Sequence, residues 1–302
     1  MHVAITGSTG LIGSALVASL TEDGHRTTRL VRRPSRAPDE ASWDPEGGDL
    51  DPQALQDVDA VVHLAGEPIG ERRWTDGQKR RIRDSRVEST RLLAETLATM
   101  DRGPGVLACA SGADYYGDRG DEVLTEDSGP GTSFLAQVCV DWEAAADPAR
   151  EAGVRVAHLR TGLVLARQAV AMKRLLLLFR VGLGGRFGSG RQYWPWIALD
   201  DVVALYRATM GDGPLQGPVN AVAPEPVTNA EFSRALARVL RRPAVVPVPR
   251  FGPKLVLGEL ADTLLFHSKR ILPERALAQG CHFRHPHLEE ALRAELGTPE
   301  RR

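Results

Sequence analysis

The chain has little lysine. Of its 302 residues only Lys79, Lys173, Lys254 and Lys269 are lysines, and arginine supplies the remaining cations. Cysteine is scarce too. Cys109, Cys139 and Cys281 lie far apart with no C-x-x-C pair, which argues against a disulfide framework or a cysteine zinc site and points to a reducing compartment. Cys109 follows "GVLA" in a strand-like run and reads as a small buried hydrophobe. Neither sign of charge is in excess. The formal net charge is -1, which argues against nucleic-acid or membrane-surface partners. Long apolar runs are missing as well: "LLLLFRVGLGG" is interrupted by Arg180 and glycines, and a bilayer span needs ~20 apolar residues. The opening "MHVAITGSTG" has no basic start and apolar core, so no signal peptide is expected. The expectation is a soluble, cytoplasmic protein.

What is present is a strand–helix rhythm. "HVAIT" (2–6), "RTTRLVR" (26–32), "VDAVVHLAG" (58–66), "GVLACAS" (105–111) and "VRVAHLRTG" (154–162) read as strands. Helices are expected at 11–24, 75–100 and 133–153, the last breaking near Pro148. Such alternation predicts an α/β fold with a doubly wound parallel sheet. After Gly162 come an apolar helix (169–180), a glycine-rich stretch, and a strand and helix over 192–210 opened at Asp200 or Asp201. From Pro224 the chain reads as mostly helical. The expected domains are residues 1–248, with a nucleotide-binding core over 1–162 plus about 192–222, and a C-terminal module, 249–302, in a smaller helical lobe over the sheet's carboxyl edge.

"TGSTGLIG" places Gly7, Gly10 and Gly13 between the first strand and first helix. A helix N-terminus offers free N–H groups and a positive dipole end to a pyrophosphate, and glycines let the backbone approach it. Gly7, Thr9, Gly10, Leu11, Ile12 and Gly13 are therefore the candidate cofactor-binding turn. NAD binders place an acid at the end of the second strand, whereas an arginine suits the 2′-phosphate of NADP. The chain reads "LVRRP" there, with no acid until Asp39. Arg32 is the candidate phosphate ligand, Arg33 is expected to be solvated, and the cofactor expected is NADP(H).

With these residues in place the chain resembles the epimerase family of atypical extended short-chain dehydrogenases/reductases, often labelled nucleoside-diphosphate-sugar epimerases. The resemblance runs along essentially the whole chain. It rests on "TGSTGLIG", "HLAGEPI", "RRWTDGQKRRIRDSRVEST", "YYG", "FLAQVCVDWE", "LRTGLVL", "GLGGRFGSGRQYWPWIALDD" and "GPVNAVAPEPVTNAEF". The tail from about 249, with "SKRILPERALAQGCHFRHPHLEEAL", is similar to the family's C-terminal module of unknown function. The resemblance implies that Leu64, Ala65 and Gly66 pass under the cofactor, that Arg86 reaches it, and that homodimers form through the long helices. The chain departs from the family at "ARQAVAM", where glycines are usual, and at Gly112 and Asp114 beside the tyrosines.

The largest departure is a missing catalytic pair. Active relatives use Tyr-x-x-x-Lys on the helix after the fourth strand, and aligning "CVDWE" puts Leu135 and Cys139 at those positions. Four residues beyond Tyr115, Tyr116, Tyr193 and Tyr206 lie Arg119, Gly120, Ile197 and Met210, so the pair exists nowhere. Using an unassisted tyrosine of pKa ~10 as a base near pH 7 costs about 4 kcal/mol, roughly a thousandfold in rate. A neutral tyrosine still donates a proton or hydrogen bond. Tyr116, at a pocket position, and Ser111, near the strand-end serine that polarises substrate in relatives, are the candidate catalytic residues. Ser111 reads equally as a turn hydroxyl, and Gly112 is the closer offset to that serine.

Other residues read in two ways. Glu67 faces substrate or caps a turn. Arg191 binds an anion or is solvated. Gln192, Trp194 and Trp196 line the lobe interface, where aromatics more often pack than bind. Tyr115 with Arg119 reads as coincidence. The histidines of "CHFRHPHLEE" lack metal-ligand spacing, so no metal is expected. Two functions remain open. One is an NADP(H)-dependent oxidoreductase or epimerase-like enzyme acting on a small carbonyl or nucleotide-sugar-like substrate. The other is a non-catalytic NADP(H)-binding sensor or regulator.

Overall fold

The computed structural model describes residues 1–297 apart from 212, 214, 245 and 246. Its centre is a sheet of seven parallel strands: β1 (His2–Thr6), β2 (Arg26–Val31), β3 (Glu40–Ser42), β4 (Ala60–His63), β5 (Val106–Gly112), β6 (Arg155–Thr161) and β7 (Gly217–Ala221). In space they run β7-β6-β5-β4-β1-β2-β3. All neighbours are parallel. The chain order reverses between β1 and β4. In open α/β sheets ligands bind in the crevice at the carboxyl ends beside that reversal.

Both faces of the sheet are covered, so its strands are apolar at successive positions. Val3, Ile5 and Val62 pack with Leu16 and Leu20 of α1 (Leu11–Glu22). Ala4, Val61 and Leu107 face Leu93 and Leu97 of α2 (Asp76–Ala98). Thr75 caps α2, its side chain accepting from the Gln78 amide. The helix expected over 133–153 is two, α3 (Phe134–Ala144) and α4 (Asp147–Glu151), with Pro148 in the first turn of the second. Proline suits that position because the first amides of a helix lack partners anyway.

A lobe covers the carboxyl edge of the sheet. It combines α5 (Val170–Arg180) and α7 (Asn229–Leu240) with the helix Leu288–Leu296 around Met172, Phe179, Trp194, Phe232 and Leu292. Its core thus mixes residues from both sides of position 248. Between them α6 (Leu199–Met210) returns to the sheet. Asp201 does not open α6: its carboxylate accepts from the amides of Arg284 and His285, at 2.6 and 3.1 Å, tying down the tail. β3 was not expected from the sequence.

Candidate functional site

The glycine turn is shaped by steric need. Gly7 has φ +63°, and a Cβ there would lie 2.8 Å from the Leu64 carbonyl carbon and 2.9 Å from the Ala65 amide. A Cβ on Gly13 would sit 2.2 Å from the Gly7 carbonyl oxygen. Only glycine permits this approach of the turn to β4 and of α1 to the turn. The Gly10 amide donates to the Gly7 carbonyl at 2.9 Å. No side chain caps α1 and no acid occupies its first turn, so its positive end is left for an anion.

Beneath the turn runs a buried hydrogen-bond chain that sequence reasoning missed. The Thr6 hydroxyl accepts from the Leu64 and Ala65 amides at 3.0 and 3.2 Å. It donates to His63 Nδ1 at 2.7 Å. His63 Nε2 donates to Ser89 Oγ at 3.0 Å, and Ser89 donates to the Ser85 carbonyl at 2.7 Å. Burial, with the Arg86 charge nearby, pushes His63 down to about 3 and keeps it neutral. The only sequence signal was a histidine ending an apolar strand.

On the other side of the turn a cavity of about 880 Å³ is bordered by Arg32, Trp43, Ala65, Gly66 and Ser89. Here β3 decides which arginine is free. Arg29 donates to Asp39, at 2.8 and 3.1 Å, and bridges to Glu40. Arg33 makes a two-pronged pair with Glu40, at 2.8 and 2.7 Å, which holds the Glu40 carboxyl down at about 2. Arg33 thus meets solvent, as expected, but is paired with Glu40 rather than left free. Arg32 is exposed, borders the cavity and has no hydrogen bond or ion pair among the described residues.

Arg86 leans across the end of β4. Its Nη1 donates to the carbonyls of Glu67 and Ile82, both at 3.0 Å, and its guanidinium carbon lies 5.1 Å from the Trp142 ring centre. Burial lowers its pKa from the usual arginine value. A Cβ on Gly66 would come within 3.1 Å of the guanidinium carbon, so the glycine admits the arginine. Glu67 borders the smaller cavity and accepts from Gln78 at 3.2 Å.

The larger cavity, about 1230 Å³, lies over the ends of β5 and β6 and beneath the lobe. Leu11, Arg86 and Ser111 border it, as do Leu135 and Cys139 from the positions of the missing pair. Burial pushes the Cys139 thiol up to about 12, so no thiolate is available there. Ser111 donates to Glu143 Oε1 at 2.7 Å. Arg160 meets both oxygens of Glu143, from Nε at 2.9 Å and Nη2 at 2.8 Å.

Tyr116 is placed differently from expectation. It is wholly buried and does not border the cavity. Its hydroxyl donates to Asn220 Oδ1 at 2.6 Å and accepts from Arg160 Nη1 at 3.0 Å. Burial pushes its pKa up to about 12. Its strand-end position suggested a pocket wall, but the short helical turn Ala113–Tyr116 rolls the ring into the core. Arg160 stacks 3.4 Å from the Tyr115 ring centre, while Arg119 pairs with Glu122 instead.

The remaining candidates divide. Trp194 borders the larger cavity, donating Nε1 to the Leu265 carbonyl at 3.2 Å. Trp196 is buried outside both cavities, and Gln192 spends its amide on the Phe187 and Leu265 carbonyls. Arg191 borders neither cavity. His287 pairs with Glu225, and among the described residues no group of three potential ligands could hold a metal ion. Lys269, passed over in the sequence, reaches the larger cavity from the C-terminal module.

A parallel sheet with a glycine turn at its reversal and an unpaired arginine beside it defines a dinucleotide-binding protein of the extended short-chain dehydrogenase type. Residues 3–221 match the model of the NAD dependent epimerase/dehydratase family, and residues 248–295 match a domain of unknown function, DUF1731. The chain belongs to that epimerase/dehydratase family. An epimerase family protein of Mycobacterium tuberculosis, MT2273, is 45% identical over 290 residues, covering 96% of each chain. The crystal structure of human epimerase family protein SDR39U1 with NADPH is similar at TM-score 0.88 and 34% identity, covering 98% of this chain and 99% of that one. A nucleoside-diphosphate sugar epimerase from Corynebacterium glutamicum matches at TM-score 0.82 and 39% identity, over 98% of this chain and 58% of the other. Among the described residues no helix is long and apolar enough to cross a membrane.

Proposed function

We propose that this chain is an NADP(H)-dependent oxidoreductase that reduces or oxidises a substrate in the larger cavity. The observation that carries the cofactor choice is the selective neutralisation of Arg29 and Arg33 beside an unpaired Arg32. The human relative's crystallisation with NADPH supports it. Gly7, Thr9, Gly10, Leu11, Ile12 and Gly13 would hold the pyrophosphate, Arg32 the 2′-phosphate, and Leu64, Ala65, Gly66 and Arg86 the face of the cofactor toward the sheet. The cofactor, when bound, would supply the hydride for reduction or accept it for oxidation.

The protein's own part is positioning and proton handling. Ser111 is the polar candidate at the cavity floor. Because Arg160 meets both oxygens of Glu143, the serine proton can turn to a substrate oxygen without leaving that carboxylate unpaired. Epimerisation through a tyrosinate is disfavoured, since Tyr116 is spent on Asn220 and Arg160 and its pKa is raised.

The apolar Leu135 and protonated Cys139 at the positions of the usual pair favour a second reading, a non-catalytic NADP(H) sensor. Following NADPH consumption across a broad carbonyl panel separates the two. Turnover with at least one member, reduced at least tenfold by Ser111→Ala, is expected of the enzyme. Tight NADPH binding with no turnover anywhere contradicts it.

A further inference from the structure

We propose that Lys269 and Asp114 form the polar end of a binding site for an otherwise apolar molecule bearing one oxygen function, a carbonyl or carboxylate, and that the site does not take a nucleoside diphosphate sugar. This rests on reading the larger cavity as the substrate site.

Lys269 is only 7% exposed, yet it borders that cavity. Its backbone is clamped from two directions. The preceding Ser268 donates its amide to Asp118 at 2.9 Å and its hydroxyl to the Gly120 carbonyl at 2.6 Å. The Lys269 amide donates to the Tyr193 carbonyl at 3.1 Å, and Arg270–Ile271 pairs in parallel with Val123–Leu124. The lysine is thus held in place rather than swept over a surface. Its ammonium carries three donors and gives one to Asp114 Oδ1 at 2.6 Å. Among the described residues the other two have no partner. Burying an ammonium is costly, and a single carboxylate contact does not satisfy its remaining protons. An oxygen acceptor in the cavity completes the set.

Beyond this pair, Ser111, Thr161 and Arg86, and apart from the charged rim, the walls are apolar. Leu135, Val138, Leu175, Leu178, Leu257 and Leu264 come from α3, α5 and the C-terminal module. A hexose carries hydroxyls all around its ring, and each left unpaired in such a wall is penalised. An apolar body instead gains from the same surface. The exposed Arg72, Arg73 and Arg174 on the open side, against Glu71, favour entry of a negatively charged head.

The test titrates decanoate, 1-decanol and UDP-glucose into the purified full chain, following intrinsic tryptophan fluorescence, to which Trp142 and Trp194 at the cavity contribute. The decanoate carboxylate stands in for a carbonyl oxygen taking on negative charge. Decanoate is expected to bind at least about tenfold more tightly than decanol, the scale of a charge-assisted hydrogen bond, with no saturable response to UDP-glucose. Lys269→Met is expected to erase that preference with decanol affinity unchanged, and Lys269→Arg to keep it.

The proposal is overturned if UDP-glucose binds more tightly than decanoate, or if the preference survives in Lys269→Met. Should that variant lose decanol binding too, the ranking of the three probes on the wild-type chain decides. NADPH titrated into the same samples keeps the two readings apart. Loss of NADPH binding in the wild type strikes the proposed function, whereas intact NADPH binding without a decanoate preference strikes this inference alone.

Discussion

The smaller cavity and the larger one lie on either side of Gly66 and Arg86 and are built by opposite means. The smaller, with the turn above it, rests on close backbone approaches, Gly7 against Leu64 and Gly13 against Gly7, and on the local pair of Arg33 with Glu40. The larger is closed by side chains from distant segments, with Lys269 meeting Asp114 across 155 residues. A backbone-built site tolerates few residue types and leaves a recognisable pattern. A side-chain network can be assembled from many residues, so its members look ordinary until folding joins them.

The contrast can be broken most forcefully at Arg160. Arg160→Ala leaves Glu143 largely buried without its two-pronged partner, and uncompensated buried charges cost about 3–5 kcal/mol. Chemical denaturation is expected to register a loss of that order. A loss under about 1 kcal/mol would show that the network contributes little to stability.

The turn's foundation is tested by pH. His63 is held neutral, with its pKa lowered to about 3 from 6.5. The unfolded chain takes up the proton first, so this contribution is intact above about pH 6.5 and is lost as pH falls toward 3. Its slope is about 1.4 kcal/mol per pH unit once the unfolded histidine is protonated. His63→Asn is expected to flatten the urea-stability profile in that window by about one proton relative to the wild type. An unchanged slope would place the titrating group elsewhere.

The smallest effect is expected at Tyr116. Tyr116→Phe removes hydrogen bonds to Asn220 and Arg160 in the core, with an expected stability cost of about 1 kcal/mol. NADPH affinity, and turnover if a substrate is found, are expected to stay within about twofold, since about 0.4 kcal/mol corresponds to that factor. A hundredfold loss of turnover at unchanged stability would restore the tyrosine to the chemistry.

These particulars show what a sequence exposes. Continuous apolar runs announced β1, β4, β5 and β6, because a sheet covered on both faces buries successive positions. The turn at Gly7–Gly13 was legible because its spacing follows from steric contact. β3 was not, since three residues, "EAS", carry no periodicity, and with it went the fate of Arg33. Ser111 was singled out by its nearness to the strand-end serine of relatives, but its partner Glu143, and Arg160 beyond it, lie on separate elements. Tyr116 was misplaced because position along the chain does not say which way a short helical turn rolls a ring. Lys269 was overlooked because a lysine in a polar tail ordinarily remains in solvent.

The cofactor choice turns on Arg32, which follows β2 and has no partner among the described residues. Its most direct test is calorimetric titration of NADPH and NADH into the wild-type chain and Arg32→Glu. The wild type is expected to prefer NADPH by at least about tenfold, the scale of one charge-assisted phosphate contact, and the variant to lose that preference while still binding NADH. Equal affinity for the two cofactors in the wild type, or an NADPH preference unchanged in Arg32→Glu, would contradict it.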